Sequence, residues 1–245
     1  EATSQNPSLI PYTKELLGSE ELIQGKKRYC LWLTNAPDEI LNDPFVSERL
    51  SQVKKVRLKS SRPQLADTPH LFAQRSADPD TFNTAIAVPR VSSERREYIP
   101  LTFITSATVP TDRLQVIPNA ELYDMAILTS KIHMAWVSRT CGRLKTDYNY
   151  SVDIVYNNFP INSLTGEEKD ALNKSARRIL LARAAHPEKT LANMYDPNKM
   201  PADLREAHDE NDHLVDNLYK KGGFTTDEDR LATLFALYEQ MTAKP

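Results

Sequence analysis

Cysteine and glycine are scarce in this chain, and long hydrophobic runs are missing altogether. Only 2 of the 245 residues are cysteine. Cys30 and Cys141 are far apart in sequence and form no metal or redox spacing such as C-x-x-C, so a disulfide scaffold is excluded and two free thiols in the reducing cytoplasm are expected. With 6 glycines the chain has neither G-x-G-x-x-G nor G-x-x-x-x-G-K-[ST], which removes the common phosphate-cradling loops. No stretch nears the roughly 18 apolar residues of a membrane-spanning helix, so no membrane partner is expected. An initiator methionine and the basic and apolar regions of a signal peptide are also lacking at Glu1-Ala2-Thr3-Ser4, so the chain reads as a piece of a longer polypeptide.

What is present is ordinary globular composition, 40% hydrophobic and 26% charged, with a net charge of −2 that hides an asymmetry. Residues 1–160 hold 19 basic against 18 acidic side chains, and residues 161–245 hold 12 against 15. Within the first part Arg49, Lys54, Lys55, Arg57, Lys59 and Arg62 form a run without an acid. Such a run either neutralises phosphates or simply faces water.

Hydrophobic spacing divides the chain near Pro160. Before it, Arg28 to Leu33 reads as a buried strand, and residues 45–59 as a basic amphipathic helix stopped by Ser60-Ser61-Arg62-Pro63. Short runs at 71–72, 82–88, 98–105 and 114–117, broken by Pro, Asp and Ser, predict strands of one small twisted sheet. Residues 121–138 predict one helix with a Met- and Trp-bearing core stripe. Gly142 to Ser151 alternates as a strand or extended loop with one wet side would, with Lys145, Asp147 and Asn149 sharing that side, and 152–159 closes the region as a short strand. After Pro160 come three capped amphipathic helices: one behind Ser163 or Thr165, one after Pro201 that ends at Gly222-Gly223, and one behind Thr225 or Thr226. The expected fold class is α+β: a small twisted, mostly antiparallel sheet with flanking helices over residues 1–160, followed by an all-α helical domain over 161–245.

No catalytic constellation stands out. The five histidines include no H-E-x-x-H pair, no G-x-S-x-G elbow occurs, and Cys141 has no histidine nearby in sequence. Asn6-Pro7 is separated from Tyr12, whereas an amino-methyltransferase motif needs Asn-Pro-Pro-Tyr to be contiguous. No catalytic residue, metal or cofactor is therefore assigned to this segment. Donors and acceptors for base edges, in contrast, are plentiful: Arg90, Asp112, Arg113, Lys145, Asp147 and Asn149. Arg and Lys suit guanine O6 and N7, Asp suits cytosine N4, and Asn suits adenine. The same charges on an edge strand would equally deter strand pairing. Two rivals stay open: a protein-interaction module without DNA binding of its own, and a hydrolase built on Asp and His groups.

Several stretches resemble the MmeI-like single-chain restriction–modification proteins and their solitary DNA methyltransferase relatives. They are Gly25 to Leu33, Val88 to Pro100, Ile127 to Ser130, Gly142 to Lys145, Tyr150-Ser151, Val155 to Pro160, Tyr195-Asp196-Pro197, Met200-Pro201 and Leu204 to His208. The resemblance implies a target-recognition domain and C-terminal helical domain downstream of an adenine-amino methyltransferase domain in the same chain. Double-stranded DNA would be the partner. S-adenosylmethionine would serve the intact parent, as would Mg²⁺ where that parent carries a nuclease. It also implies that Arg90, Asp112, Arg113, Lys145, Asp147 and Asn149 stand at the variable, base-reading positions. Phosphate contacts are expected of Lys54, Lys55, Arg57, Lys59, Ser92, Ser93, Arg95, Arg96, Arg139 and Arg143. Two basic–acidic couples, Arg90 with Asp112 and Lys145 with Asp147, would each read a G·C pair.

Overall fold

A computed structural model describes residues 6–243. Its N-terminal part contains β1 (Thr13–Leu17), α1 (Ser19–Gln24), β2 (Tyr29–Leu31), α2 (Asp38–Leu41) and α3 (Pro44–Leu58). Five strands follow: β3 (Thr84–Pro89), β4 (Val91–Ser92), β5 (Thr102–Thr105), β6 (Thr108–Pro110) and β7 (Leu114–Pro118). Then come α4 (Leu122–Leu128), α5 (Lys131–Thr140), β8 (Gly142–Leu144) and β9 (Asp147–Asn149). The C-terminal part is α6 (Gly166–Ala184), α7 (Leu191–Met194), α8 (Ala202–Tyr219) and α9 (Asp227–Thr242). The α+β class with a helical C-terminal region is as the sequence predicts.

Instead of one sheet, however, the described strands form three three-stranded sheets, ordered β2-β1-β6, β5-β3-β7 and β4-β9-β8. All pairings are antiparallel except β1 with β6. β3 explains why its segment is continuously apolar: as a central strand it is covered on both faces. Ile86 and Val88 enter the main core, while Ala85 and Ala87 face a second cluster with Leu17, Leu22, Phe82 and Ile104. A third cluster, of Leu9, Leu33, Ile40 and Val46, seats α2 and α3.

Four local expectations are corrected. The segment 28–33 is not a buried strand: β2 covers only three residues at a sheet edge, with Tyr29 64% exposed, and Trp32 and Leu33 turn inward just after it. Leu71-Phe72 lies outside every strand. The helix predicted over 121–138 breaks at Thr129-Ser130, where the Ser130 hydroxyl accepts the His133 N–H at 3.3 Å and starts α5. Residues 152–156 form a single π-helical turn rather than a strand.

The main core runs without a break across Pro160. Ile86, Tyr98 and Met125 share it with Leu172, Ile179, Leu204 and Leu234 of the C-terminal helices. Polar ties cross the same boundary. Asn211 Nδ2 donates to the Ala126 carbonyl at 2.7 Å, and Arg183 Nη1 to the Leu101 carbonyl at 2.8 Å. Arg205 makes a two-pronged ion pair with Glu97, at 3.0 and 3.1 Å. α6 begins at the capping box formed by Thr165 and Glu168.

Candidate nucleic-acid interface

Arg90 is the single residue between β3 and β4, and its main chain joins three segments. Its N–H donates to the Arg113 carbonyl at 3.0 Å, while its own carbonyl accepts the Tyr150 N–H at 2.7 Å. One bond fixes the turn before β7, which contains Asp112 and Arg113, and the other fixes the exit of β9. The β4–β9 ladder continues the contact, with Val91 opposite Asn149 and Ser92 opposite Tyr148. Arg90, Asp112–Arg113 and Asp147–Asn149 are therefore brought to one edge. Because backbone groups make the junction, the Arg90 side chain stays exposed; its Nη1 lies 3.4 Å from the Asp112 carbonyl. The Arg90–Asp112 couple thus meets through a main-chain oxygen rather than through the carboxylate.

Residues 142–149 are a hairpin, which corrects the expectation of one extended segment, strand or loop, with Lys145, Asp147 and Asn149 on a common side. Leu144 pairs with Asp147, leaving Lys145-Thr146 as a two-residue turn. Lys145 is at φ 56°, in the left-handed region where glycine is relaxed and a side chain is strained. The turn also reverses the side-chain parity. Cross-strand partners share a face, so Leu144 points the same way as Asp147 and Asn149 and is 55% exposed, while Arg143 joins Tyr148 on the other face. Lys145 projects from the tip, not from the strand, and no ion pair links it to Asp147 among the described residues.

The expected phosphate contacts separate into two groups. Lys54 and Lys55 on α3, and Lys59 just past its end, are exposed and have no ion-pair partner among the described residues; Arg139 and Arg95 are likewise exposed. The remainder are engaged. Arg57 donates to the carbonyls of Leu65, Thr68 and Leu71 at 2.7–2.9 Å, clamping the segment that follows α3. Ser92 is only 2% exposed and accepts from Arg96 Nη1 at 3.4 Å. Arg143 stacks on Tyr148 at 4.1 Å and donates to the Thr146 and Ser138 carbonyls, bracing the hairpin. Ser93, Arg95 and Arg96 line a small cleft of about 70 Å³ with Asp196. Burial lowers the pKa of Arg96, against the opposing pull of Asp147 and then Asp196.

Two neighbours of this edge were not foreseen from sequence. Leu144 is one; the alternation of Leu144, Tyr148 and Tyr150 suggested a buried side and hid the turn. The other is the 73–78 loop, whose Gln74 and Arg75 share an open depression with Asp112. Ser76 ties this loop to the turn, with its hydroxyl on the Thr111 carbonyl at 2.8 Å and its N–H on the Pro110 carbonyl at 3.3 Å. No local signal announces a contact between segments 35 positions apart.

His133 and His208 are buried, and burial holds each imidazole neutral with its pKa lowered to about 3. Burial pushes the Cys30 thiol up to about 11. No group of three or more His, Cys, Asp or Glu is arranged to hold a metal among these residues.

Comparison with known proteins places the chain in a family. The family model described as the MmeI target recognition domain matches residues 1–163, and that of the MmeI C-terminal domain matches 164–244. DNA methyltransferase A of Bacillus subtilis (strain 168) is 40% identical over 248 aligned residues, which cover all of this chain and 28% of that relative. The structure of the Type IIL restriction–modification enzyme MmeI in complex with DNA superposes with a TM-score of 0.90 at 36% identity, over 98% of this chain and 32% of that protein. The chain thus spans about a third or less of the length of these relatives.

Proposed function

The chain belongs to the MmeI family, and from that premise we propose that it is the part of a larger cytoplasmic DNA methyltransferase that chooses the target sequence. Residues 1–160 act as the recognition domain and 161–245 as a helical domain that supports it. The alkylation, of an adenine N6 with S-adenosylmethionine as donor, belongs to the upstream domain of the same chain, and Mg²⁺ serves any nuclease the parent carries. The described residues contain no helix long and apolar enough to cross a membrane.

The observation that carries this reading is the knot at Arg90. A strand buried on both faces delivers an exposed guanidinium to an edge where Asp112, Arg113, Asp147 and Asn149 are held through main-chain bonds. Base reading needs such a division: rigid backbone, free side chains. Arg90 and Lys145 donate to guanine O6 and N7, Asp112 and Asp147 accept from a cytosine amino group, Asn149 suits adenine, and Leu144 suits a thymine methyl. Lys54, Lys55, Lys59, Arg95 and Arg139 neutralise phosphates without regard to sequence. Retaining a lysine at φ 56°, where glycine would be unstrained, fits a side chain kept for function.

Mapping of methylated sites made by the full-length parent tests the reading. Arg90→Ala and Lys145→Ala should each relax discrimination at one position of the target, at a cost of about 1–3 kcal/mol. An unchanged methylation motif in both variants would overturn it. The rival protein-interaction module is distinguished by salt: DNA retention that weakens steeply with ionic strength belongs only to the DNA-reading protein.

A further inference from the structure

One edge of the β2-β1-β6 sheet is unfinished. In the antiparallel β1–β2 ladder the Trp32 N–H bonds the Tyr12 carbonyl at 2.7 Å and the Leu16 N–H bonds the Arg28 carbonyl at 2.8 Å. These fix the hydrogen-bonded pairs as Tyr12–Trp32, Lys14–Cys30 and Leu16–Arg28, in register with Thr13 opposite Leu31 and Glu15 opposite Tyr29. Tyr29 and Leu31 must therefore turn their N–H and C=O groups away from β1, and β2 has no second neighbour among the described strands. Beside that edge lies an apolar groove of about 550 Å³, walled by Phe45, Leu50 and Val53 of α3 and by Leu71 and Phe72 of the segment that Arg57 clamps. A row of unpaired backbone groups next to apolar walls matches what an added strand requires: main-chain bonds on one side, pockets for alternate side chains on the other.

We propose that an extended apolar segment from the N-terminal part of the parent chain adds to β2 as a further strand, docking the recognition domain onto the body of the protein. Two observations select this occupant. The relatives are roughly three times as long as this chain, and the family model that matches residues 164–244 is that of a C-terminal domain, which puts polypeptide of the relatives N-terminal to the recognition domain. The described chain starts alongside the groove: Asn6 Nδ2 donates at 2.7 Å to Asp43, the residue that caps α3, and Leu9 shares a cluster with Leu33 and Val46 of the groove wall. A strand of about three residues, at roughly 3.3 Å each, would engage both outward-facing residues. The argument uses family membership but not base reading, so its failure would leave the assignments at Arg90 and Lys145 untouched.

Amide hydrogen exchange at single-residue resolution on the full-length parent, without DNA, tests the proposal, with Cys30 as internal reference because its N–H belongs to the β1 ladder. The docked strand should slow Tyr29 and Leu31 about as much as Cys30, at least about 100-fold below unstructured rates. Alternation, with Cys30 protected and its two neighbours exchanging freely, would overturn the proposal, as would protection that appears only on adding duplex DNA. A photo-crosslinking phenylalanine analogue at Tyr29 identifies the occupant. A link within the chain to the N-terminal part supports the proposal, and a link to a second copy, or none, refutes it.

Discussion

In its proposed base-reading role, Lys145 would separate reading from stability at a single residue. Its left-handed backbone costs about 1 kcal/mol that glycine would not incur. Lys145→Gly should therefore raise stability by about that amount in denaturant titration while relaxing the methylated motif. A variant that loses stability would refute the strain. Arg57 and Lys54 make the opposite contrast within one helix. Arg57→Ala abandons three carbonyls and should cost about 2–3 kcal/mol. Lys54→Ala should leave stability within about 0.5 kcal/mol and reduce the salt slope of DNA binding by about one. The sequence could not separate these two cations, because both stand in one basic run and only the later loop at 65–71 decides which is clamped.

Elements were legible where their own residues specify them. The Thr165–Glu168 box, the continuous apolar run of β3 and the basic helix after Pro44 all carry their signals locally. Elements set by distant partners were not. α5 starts where Asp212 of α8 accepts the Lys131 N–H at 2.7 Å and the Tyr98 hydroxyl at 2.7 Å, and apolar spacing through 121–138 gives no hint of that break. The hairpin was concealed for a related reason: alternation continues through a two-residue turn although the faces have exchanged. Asp212→Ala leaves a helix start and a buried tyrosine hydroxyl without a partner. It should cost about 3 kcal/mol and unprotect the first amides of α5 in hydrogen exchange; protection equal to the parent would contradict the capping role.

Across the whole molecule the shared core joins what the sequence divides at Pro160. Heating should give one cooperative transition, and a chain ending at Pro160 should aggregate because Ile86, Tyr98 and Met125 lose the helices that cover them. Two separate calorimetric transitions would contradict this. Acid response is also a property of the whole. His133 and His208 take up protons near pH 6.5 when unfolded but only near 3 when folded. Their contribution is complete above pH 6.5 and is lost as pH falls, by about 1.4 kcal/mol per pH unit for each. Asp212 acts oppositely. Burial raises its carboxyl from 3.8 to about 6, so its contribution is present below 3.8 and declines as pH rises through 6. Stability should fall on acidification below pH 6.5, and Asp212→Asn should steepen the fall between pH 4 and 6. An unchanged slope would sink the assignment. The junction at Arg90 has a consequence for ancestry: with the tether made of peptide groups common to all amino acids, the side chains beside it can be exchanged without rebuilding the frame, and in the role proposed for them this would let a lineage change its target vocabulary one letter at a time.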